Sequence, residues 1–486
     1  MSWLPESAPP SIRLLPLITC VLATFVAGCS LVPEYQRPDA PMPAAFSGAS
    51  SSASLHATLP VRAGWWHAYR DPALDALVDD SLTHNYSLAA AVAAVEEARG
   101  TAEKVGASQY PSLAAGATVD RSHQGGHHGS NSKSQSVFAE ARYEVDFWGL
   151  NAANANASAL LARASEFDRD TVALTLTASV VDTYFSVQSL HRRLALAHTI
   201  ADDASHVLQL LLAQQAAGVA TELQVQQQRN ALATFQAAVP ALEQQLEIAQ
   251  HALAVLTGRA PEQFAVQQVS LASIPIPQPR PDLPASLLQT RPDIRAKEAQ
   301  VQSANYVVGA ARAAFLPGLV LTADGGLASK SLSRLMASPF ASIAAALAAP
   351  VFDGGALRGQ LHASRGTAAK SIADYQQTVI TALQEVEDSL TAAHQQELVE
   401  AADRSAADAA AKAATLAEAQ YRLGTVDFLT VLDAQRTRFQ SEDTLMQARL
   451  ARLQASVSVF RAFGGGFGVT DAATASPDSS TNLSRS

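Results

Sequence analysis

Hydrophobic and charged side chains alternate without a break between residues 137 and 146. Val137, Ala139, Ala141, Tyr143 and Val145 fall on one side, and Phe138, Glu140, Arg142, Glu144 and Asp146 on the other. A period of two predicts a strand, and an apolar face backed by a charged one suits a strand with lipid on one side and a wet lumen on the other. A half-buried strand of a soluble sandwich has the same period. Phe147 and Trp148 follow, where an interfacial aromatic belt belongs. A second alternation sets Leu113, Ala115, Ala117 and Val119 against Ala114, Gly116, Thr118 and Asp120. Joined by a loop rich in Gly, Ser, His and Asn, the two segments predict a strand hairpin over 113–146.

Elsewhere the period is helical. Residues 82–110 carry Leu88, Val92 and Val95 at helical spacing until Pro111 ends the run. A long helix is predicted over 149–217, with neither Pro nor Gly after Gly149. Leu176, Val180, Thr183, Val187, Leu190, Leu194, Ala197, Ala201, Ala204, Leu208 and Leu211 step by four and three, the 3.5-residue repeat of a coiled-coil seam. Gly218 supplies a C-cap, residues 218–221 form a tip, and a third helix runs over 222–258. At ~1.5 Å per residue the long helix is ~100 Å and the shorter ones ~43 and ~55 Å. The short pair placed end to end nearly matches the long one, so both are expected to end at a common middle belt.

The pattern then recurs. Shifted by 206 positions, Pro111 falls on Pro317, Gly149 on Gly355, Gly218 on Gly424 and Gly258 on Gly464. The chain is an internal duplication of 82–258 and 288–464, with a second strand hairpin at 319–352, a long helix at 355–423, a tip at 424–427 and a return helix at 428–464. Ile343, Ala345, Leu347, Ala349 and Val351 have apolar neighbours on both faces, and only their match to the first copy marks a strand. A linker over 259–287, with Pro275, Pro277, Pro279, Pro281 and Pro284, belongs at the belt. Residues 29–81 are expected to be extended and 465–486 disordered.

Four strands cannot close a barrel, and lipid does not tolerate open sheet edges. The expected fold class is therefore membrane α+β: a transmembrane β-barrel to which several protomers give four strands each, continuous with a long coiled-coil α-helical barrel. Three copies would supply twelve strands; two or four would also give an even number.

Composition narrows the partners. Only 16% of the 486 residues are charged, and the net charge of −10 argues against nucleic acid. Arg13, the apolar stretch 14–26 and then Ala27-Gly28-Cys29 form a secretory signal over 1–28, too short to span a bilayer. Small residues before a Cys resemble a bacterial lipoprotein signal, which implies cleavage before Cys29 and its acylation. Ser30 in place of Asp points to the outer membrane. Cys20 leaves with the signal, so the mature chain forms no internal disulfide. His123, His127 and His128 lack fixed ligand spacing, so no metal site is expected. No catalytic motif appears, and neither enzymatic activity nor a cofactor beyond the lipid at Cys29 is expected.

Several ordered motifs carry a resemblance: Trp65-Trp66-His67-Ala68-Tyr69-Arg70-Asp71-Pro72, Asn85-Tyr86-Ser87-Leu88, Tyr110-Pro111-Ser112-Leu113 and Asp146-Phe147-Trp148-Gly149 in the first half. Arg291-Pro292-Asp293-Ile294, Phe315-Leu316-Pro317, Pro350-Val351-Phe352-Asp353-Gly354-Gly355 and Tyr421-Arg422-Leu423-Gly424 carry it through the second. The chain resembles outer-membrane efflux proteins of the TolC-like family, in the lipoprotein NodT-type branch. The resemblance implies a homotrimer, lipid-anchored and spanning the outer membrane, whose helical periplasmic tunnel docks to an adaptor (membrane fusion protein) and an inner-membrane pump of the resistance-nodulation-division (RND) type. It gives adaptor contact to Gly218, Val219, Thr221 and Glu222 at one tip and to Leu423, Gly424, Thr425 and Asp427 at the other. It assigns a periplasmic gate to Tyr421, Arg422 and Asp433. Thr430, Gln224 and Val426 depart from the family's gate pattern, Gln224 standing where an acidic partner of the tyrosine can sit. The same duct could serve type I protein secretion. A lipoprotein periplasmic adaptor would show one helical hairpin in a β-rich domain rather than two, and a trimeric coiled-coil adhesin would need a larger extracellular head.

Overall fold

In a computed structural model of the chain, residues 31–46, 64–124, 130–277 and 284–465 are described. They divide into two units, each treated by itself: Met1–Arg37, Glu97–Arg163 and Glu298–Ala373 in the first; Pro38–Glu96, Ala164–Lys297 and Asp374–Ser486 in the second.

The first unit holds the sheet. Strands β1 (Ser112–Gln124), β2 (Ser130–Val145), β3 (Gly318–Ser329) and β4 (Pro339–Ala348) pair antiparallel in chain order. Gly116 lies opposite Phe138, Phe138 opposite Gly326, and Gly326 opposite Phe340. This register sorts the side chains. One face carries Leu113, Ala117 and Val119 of β1, Val137, Ala141 and Tyr143 of β2, Leu319, Leu321 and Leu327 of β3, and Ile343 and Leu347 of β4, with only Ala, Gly or Val between them. The opposite face carries Asp120, Glu140, Arg142, Glu144, Thr322, Asp324 and Ser342. Toward the far ends of β1 and β2 the first face also carries Arg121, His123, Lys133 and Gln135; over the part nearer the strand bases it is apolar and the opposite face is charged, the transverse polarity of a membrane barrel wall. The outer edges of β1 and β4 find no partner strand among the described residues.

At the strand bases Trp148 Nε1 donates to the Pro317 carbonyl at 2.8 Å, tying the end of β2 to the start of β3. The hairpin expected to reach residue 352 stops earlier, for β4 ends at Ala348 and leaves Val351 and Phe352 almost fully exposed. Pro350 has no N–H for a ladder. Asp353 instead accepts from the N–H groups of Gly355 and Leu357 and opens the next helix.

Seven helices of two turns or more are described. They are α1 (Pro72–His84), α2 (Tyr86–Gly106), α3 (Leu150–Ala216), α4 (Glu222–Leu256), α5 (Pro292–Ala313), α6 (Ala356–Arg422) and α7 (Phe428–Ala462). The long helices α3 and α6 have 67 residues each and the return helices α4 and α7 have 35 each, so the copies agree residue for residue in length. Pro240 lies inside α4.

Residues 29–81, expected to be extended, instead contain a 3₁₀ turn at Trp65–Tyr69 and most of α1. Asp71 caps α1 by accepting from the N–H groups of Ala73 and Leu74, with Pro72 at the first helical position, where its missing N–H costs nothing. The helix expected from residue 82 is split at Asn85, whose backbone is extended and whose side chain accepts from Ser87 and Leu88 N–H.

The second unit has an aromatic core. Trp65 stacks on Phe460 at 5.1 Å between ring centres, and Tyr69 meets Phe185 edge-on at 5.0 Å. Tyr69 shares a hydrogen bond with Ser456 at 2.7 Å, and Tyr184 donates to Asp71 at 2.6 Å. All the seam positions of α3 from Leu176 to Leu211 are buried or half-buried. No helix among the described residues is long and apolar enough to cross a membrane.

Candidate functional site

Both long helices end on one geometry. Gly218 adopts φ 75° and donates to the Gln215 carbonyl at 2.9 Å, while Val219 N–H reaches the Gln214 carbonyl at 2.8 Å. Gly424, at φ 74°, donates to the Tyr421 carbonyl at 2.9 Å, and Thr425 N–H reaches Gln420 at 3.0 Å. This is the Schellman closure, in which a left-handed residue satisfies the last carbonyls of a helix. Glycine adopts that backbone freely; other L-residues resist it.

The following helix is capped at once. Thr221 Oγ1 accepts from Gln224 N–H at 3.3 Å while Thr221 N–H donates to Gln224 Oε1 at 2.8 Å, a reciprocal capping box. Asp427 accepts from both the N–H and the hydroxyl of Thr430, at 2.9 and 2.6 Å. With both ends closed within a few residues, each tip is a fixed platform.

What the platforms present is apolar with an acidic rim. Val219 and Leu223 are 75% and 66% exposed at the first tip, and Leu423 and Leu429 are 79% and 56% exposed at the second. Beside them, side-chain amides of Gln226 and Gln215 hold the Glu222 carboxyl below the usual range, and the Thr430 hydroxyl and N–H do the same for Asp427.

The tips share a core. Leu211 and Val225 of the first hairpin pack in one cluster with Phe428 and Leu432 of the second. Above Gly424, Tyr421 lies edge-on to Phe428 at 5.8 Å and donates to Gln214 Oε1 at 3.3 Å, linking the hairpins. Burial raises its pKa. Gln214, not Gln224, is thus the tyrosine's neighbour, because Gln224 is committed to the Thr221 cap. The shift of 206 pairs Gln214 with Gln420, and theirs are the carbonyls that close the two tips.

Asp433 is exposed and lines an open depression on the second hairpin with Gln420, Asp427, Thr430 and Arg436. Arg422 is exposed as well. Within one chain, Tyr421 is brought against the first hairpin and Asp433 faces away into solvent.

Farther from the tips, Arg193 of α3 grips Asp443 of α7 through two bonds of 2.6 and 3.1 Å. Glu400 of α6, its side chain 2% exposed, is met by Arg404, Arg449 and Arg452 at 2.7, 3.4 and 2.8 Å. Arg449 also donates to the Ile274 carbonyl at 2.7 Å, fastening the proline-rich linker to α7. Sequence reading missed these pairs, most of whose members lie far apart in the chain. No group of metal-binding side chains occurs among the described residues. His123 contacts Asn131 at 2.6 Å. Cys29, His127, His128 and, after Gly465, the expected disordered tail lie outside the described residues.

Comparison with known proteins places this geometry. The chain is 35% identical over 424 residues to the pyoverdine export outer membrane protein OpmQ of Pseudomonas aeruginosa, covering 83% of this chain and 87% of that one. It is 30% identical over 463 residues to the toluene efflux pump outer membrane protein TtgC of Pseudomonas putida, covering 93% and 95%. The solved outer-membrane channel OprN superposes with a TM-score of 0.85 at 28% identity, over 90% of this chain and all of that one. The family model for outer membrane efflux proteins matches residues 77–259 and again 283–465, two stretches that are themselves offset by 206. The chain belongs to the outer membrane efflux protein family.

Proposed function

We propose that this chain, as a homotrimer, is the exit duct of a tripartite efflux system, passing small toxic compounds through the outer membrane. The observation that carries the reading is the sheet: over the part nearer the strand bases one face is apolar and the other charged, and both edges await strands from further copies. Three copies give twelve strands. Acylated Cys29 anchors the mature chain. The tips at Gly218, Val219, Thr221 and Glu222 and at Leu423, Gly424, Thr425 and Asp427 receive the periplasmic adaptor, whose docking, with the RND pump behind it, opens the duct. Tyr421, Arg422 and Asp433 form the periplasmic gate, Tyr421 holding the two hairpins together until the adaptor displaces the second. Relatives named for pyoverdine export and toluene efflux favour small molecules over polypeptides as cargo.

The purified protein in a planar bilayer should conduct as a heat-modifiable trimer and prefer cations. Replacing Leu223 and Leu429 by Asp should abolish efflux in cells while leaving trimer and conductance intact. A silent monomer defeats the channel reading, and full efflux by the double variant defeats the role of the tips.

A further inference from the structure

The far ends of the two strand hairpins carry cations and no acids. From Arg121 to Ala139, and again from Gly325 to Phe352, the sequence holds neither Asp nor Glu, yet it places Arg121 and Lys133 in the first stretch and Lys330 and Arg334 in the second. The chain as a whole has the opposite balance, 44 acids against 34 Lys and Arg. All four cations are exposed, and none of them makes an ion pair among the described residues.

Two of the four are set against each other. In the register of β1 and β2, Arg121 lies directly opposite Lys133, on the face that carries Leu113, Ala117 and Val119. Side chains so paired have β-carbons ~5 Å apart, and like charges there destabilise a sheet. The carboxylate nearest in sequence, Asp120, is on the opposite face and offers no relief. The second pair is brought close by the β3–β4 connection, whose short 3₁₀ turn (Leu332–Ala337) packs against β2 and β3. Leu332 and Met336, on either side of Arg334, are 72% and 83% exposed, so the connection offers apolar and cationic side chains together.

The level of the cations is equally definite. Tyr110, Phe147 and Phe352 are exposed at the strand bases, where interfacial aromatic side chains mark one boundary of the hydrocarbon. Arg121 follows Tyr110 by eleven residues. At ~3.3 Å per residue that is ~36 Å of strand, which a tilt of ~40° reduces to ~28 Å along the membrane normal. The apolar band of an outer-membrane barrel is ~25 Å tall. Arg121 and Lys133 therefore stand just beyond the band, among the headgroups of the leaflet away from the helices.

We propose that the hairpin ends form a seat for a phosphorylated glycolipid of the outer leaflet, with one phosphate held between Arg121 and Lys133, further anionic groups met by Lys330 and Arg334, and acyl chains lying against Leu332 and Met336. The inference rests on the outer-membrane reading. A phosphate accepts charge-assisted hydrogen bonds from a guanidinium and an ammonium alike, so it turns a repelling pair into two attractive contacts. Anionic lipid attracts each additional Lys or Arg held at its surface. A free anion would need neither the flanking apolar side chains nor a place at the end of the apolar band.

The test uses trimers of the full mature chain purified in detergent, with bound lipid counted by native mass spectrometry. They are incubated with lipid A, with lipid A stripped of its phosphates, or with lipid A and excess inorganic phosphate. The parent should retain intact lipid A several-fold better than the stripped form, and inorganic phosphate should not displace it. Retention should fall several-fold when Arg121→Gln is combined with Lys133→Gln, and should survive Arg121→Lys. Equal retention of the two lipids, or by parent and double variant, overturns the proposal. Displacement by inorganic phosphate makes this a site for a free anion and overturns it as well. Melting curves separate a lipid seat from a structural pair: without lipid the double variant, relieved of its repulsion, should melt no lower than the parent, and lipid A should raise the melting temperature of the parent alone. A double variant that melts well below the parent without lipid makes the pair structural and defeats the seat. Heat-modifiable trimer in the outer-membrane fraction of cells is scored separately. Its loss in the parent defeats the outer-membrane reading, whereas assembled trimers that do not discriminate the two lipids defeat the seat alone.

Discussion

Asn85 and Arg291 stand 206 positions apart and close the same gap: Asn85 Nδ2 donates to the Leu256 carbonyl at 2.9 Å, and an Arg291 guanidinium nitrogen donates to the Ala462 carbonyl at 3.0 Å. In each copy the last carbonyls of the return helix are met by the residue that precedes that copy's first short helix. The chemistry has diverged within the conserved geometry. Asn85 is neutral and also caps α2, whereas Arg291 is held by Asp293 and Glu385, each at 2.7 Å.

Asn85→Ala removes a carbonyl cap and an N-cap together and should lower stability by about 1–2 kcal/mol. Arg291→Ala strands a buried carbonyl and breaks a partly buried ion-pair cluster, so about 3 kcal/mol is expected, the lower end for such pairs. Urea unfolding of the detergent-solubilised protein, followed by helical circular dichroism, should rank the two in that order. Equal midpoints would show that the charged network adds nothing.

Four glycines at equivalent turns should respond unequally to alanine. At Gly258 and Gly464 a β-carbon would lie 2.3 and 2.7 Å from the carbonyl oxygens of His84 and Thr290, so backbone must move. At Gly218 and Gly424 it meets nothing within 4 Å. The tip variants should lose only the left-handed backbone preference, about 1–2 kcal/mol, and the other two distinctly more. Melting temperatures of the four single variants decide it.

Neighbouring residues of β3 should tolerate arginine very differently. Leu321→Arg places a cation on the apolar face and should cost about 2–4 kcal/mol near the membrane midplane, seen as loss of heat-modifiable trimer. Thr322→Arg, on the opposite face, should assemble normally and reduce the preference for cations in bilayer recordings. If both insert equally well, the apolar face does not meet lipid.

Burial pushes the Asp182 carboxyl up to about 7, against the pull of the Arg461 guanidinium, and its Oδ1 has no hydrogen-bond partner among the described residues. The folded chain thus keeps a proton that the unfolded chain has already released, so stability should fall as pH rises from about 4 to about 7. Asp182→Asn should flatten that slope and raise stability at pH 8 by up to about 4 kcal/mol, at 1.36 kcal/mol per pKa unit. Thermal unfolding of parent and variant at pH 5 and pH 8 measures the difference. A slope that persists in the variant assigns it to another group.

Local signals were enough wherever the structure is locally determined. Alternation over 137–146 is strand, the two long Pro-free runs, the first of them also free of Gly, are helices of 67 residues, and a glycine followed three residues on by Thr221 or Asp427 is a turn closed at both ends. The break at Asn85 was also written locally, but helical periodicity runs through it and masked the cap. The early end of β4 turned on Pro350 and Asp353, whose match to the first copy suggested strand. Partners such as Tyr421 and Gln214, Arg193 and Asp443, or Arg37 and Glu298 were beyond reach, because their spacing of 207, 250 and 261 residues carries no periodic signal. Only packing brings them together.

The unpartnered edges of β1 and β4 have a genetic consequence. Each copy must be completed on both sides by its neighbours, so a chain whose β4 edge is spoiled, for instance by Ala345→Pro, corrupts every ring that admits it. Such an allele should be dominant when expressed beside the wild type. In a trimer, intact channels should then fall with the cube of the wild-type share rather than in simple proportion to it.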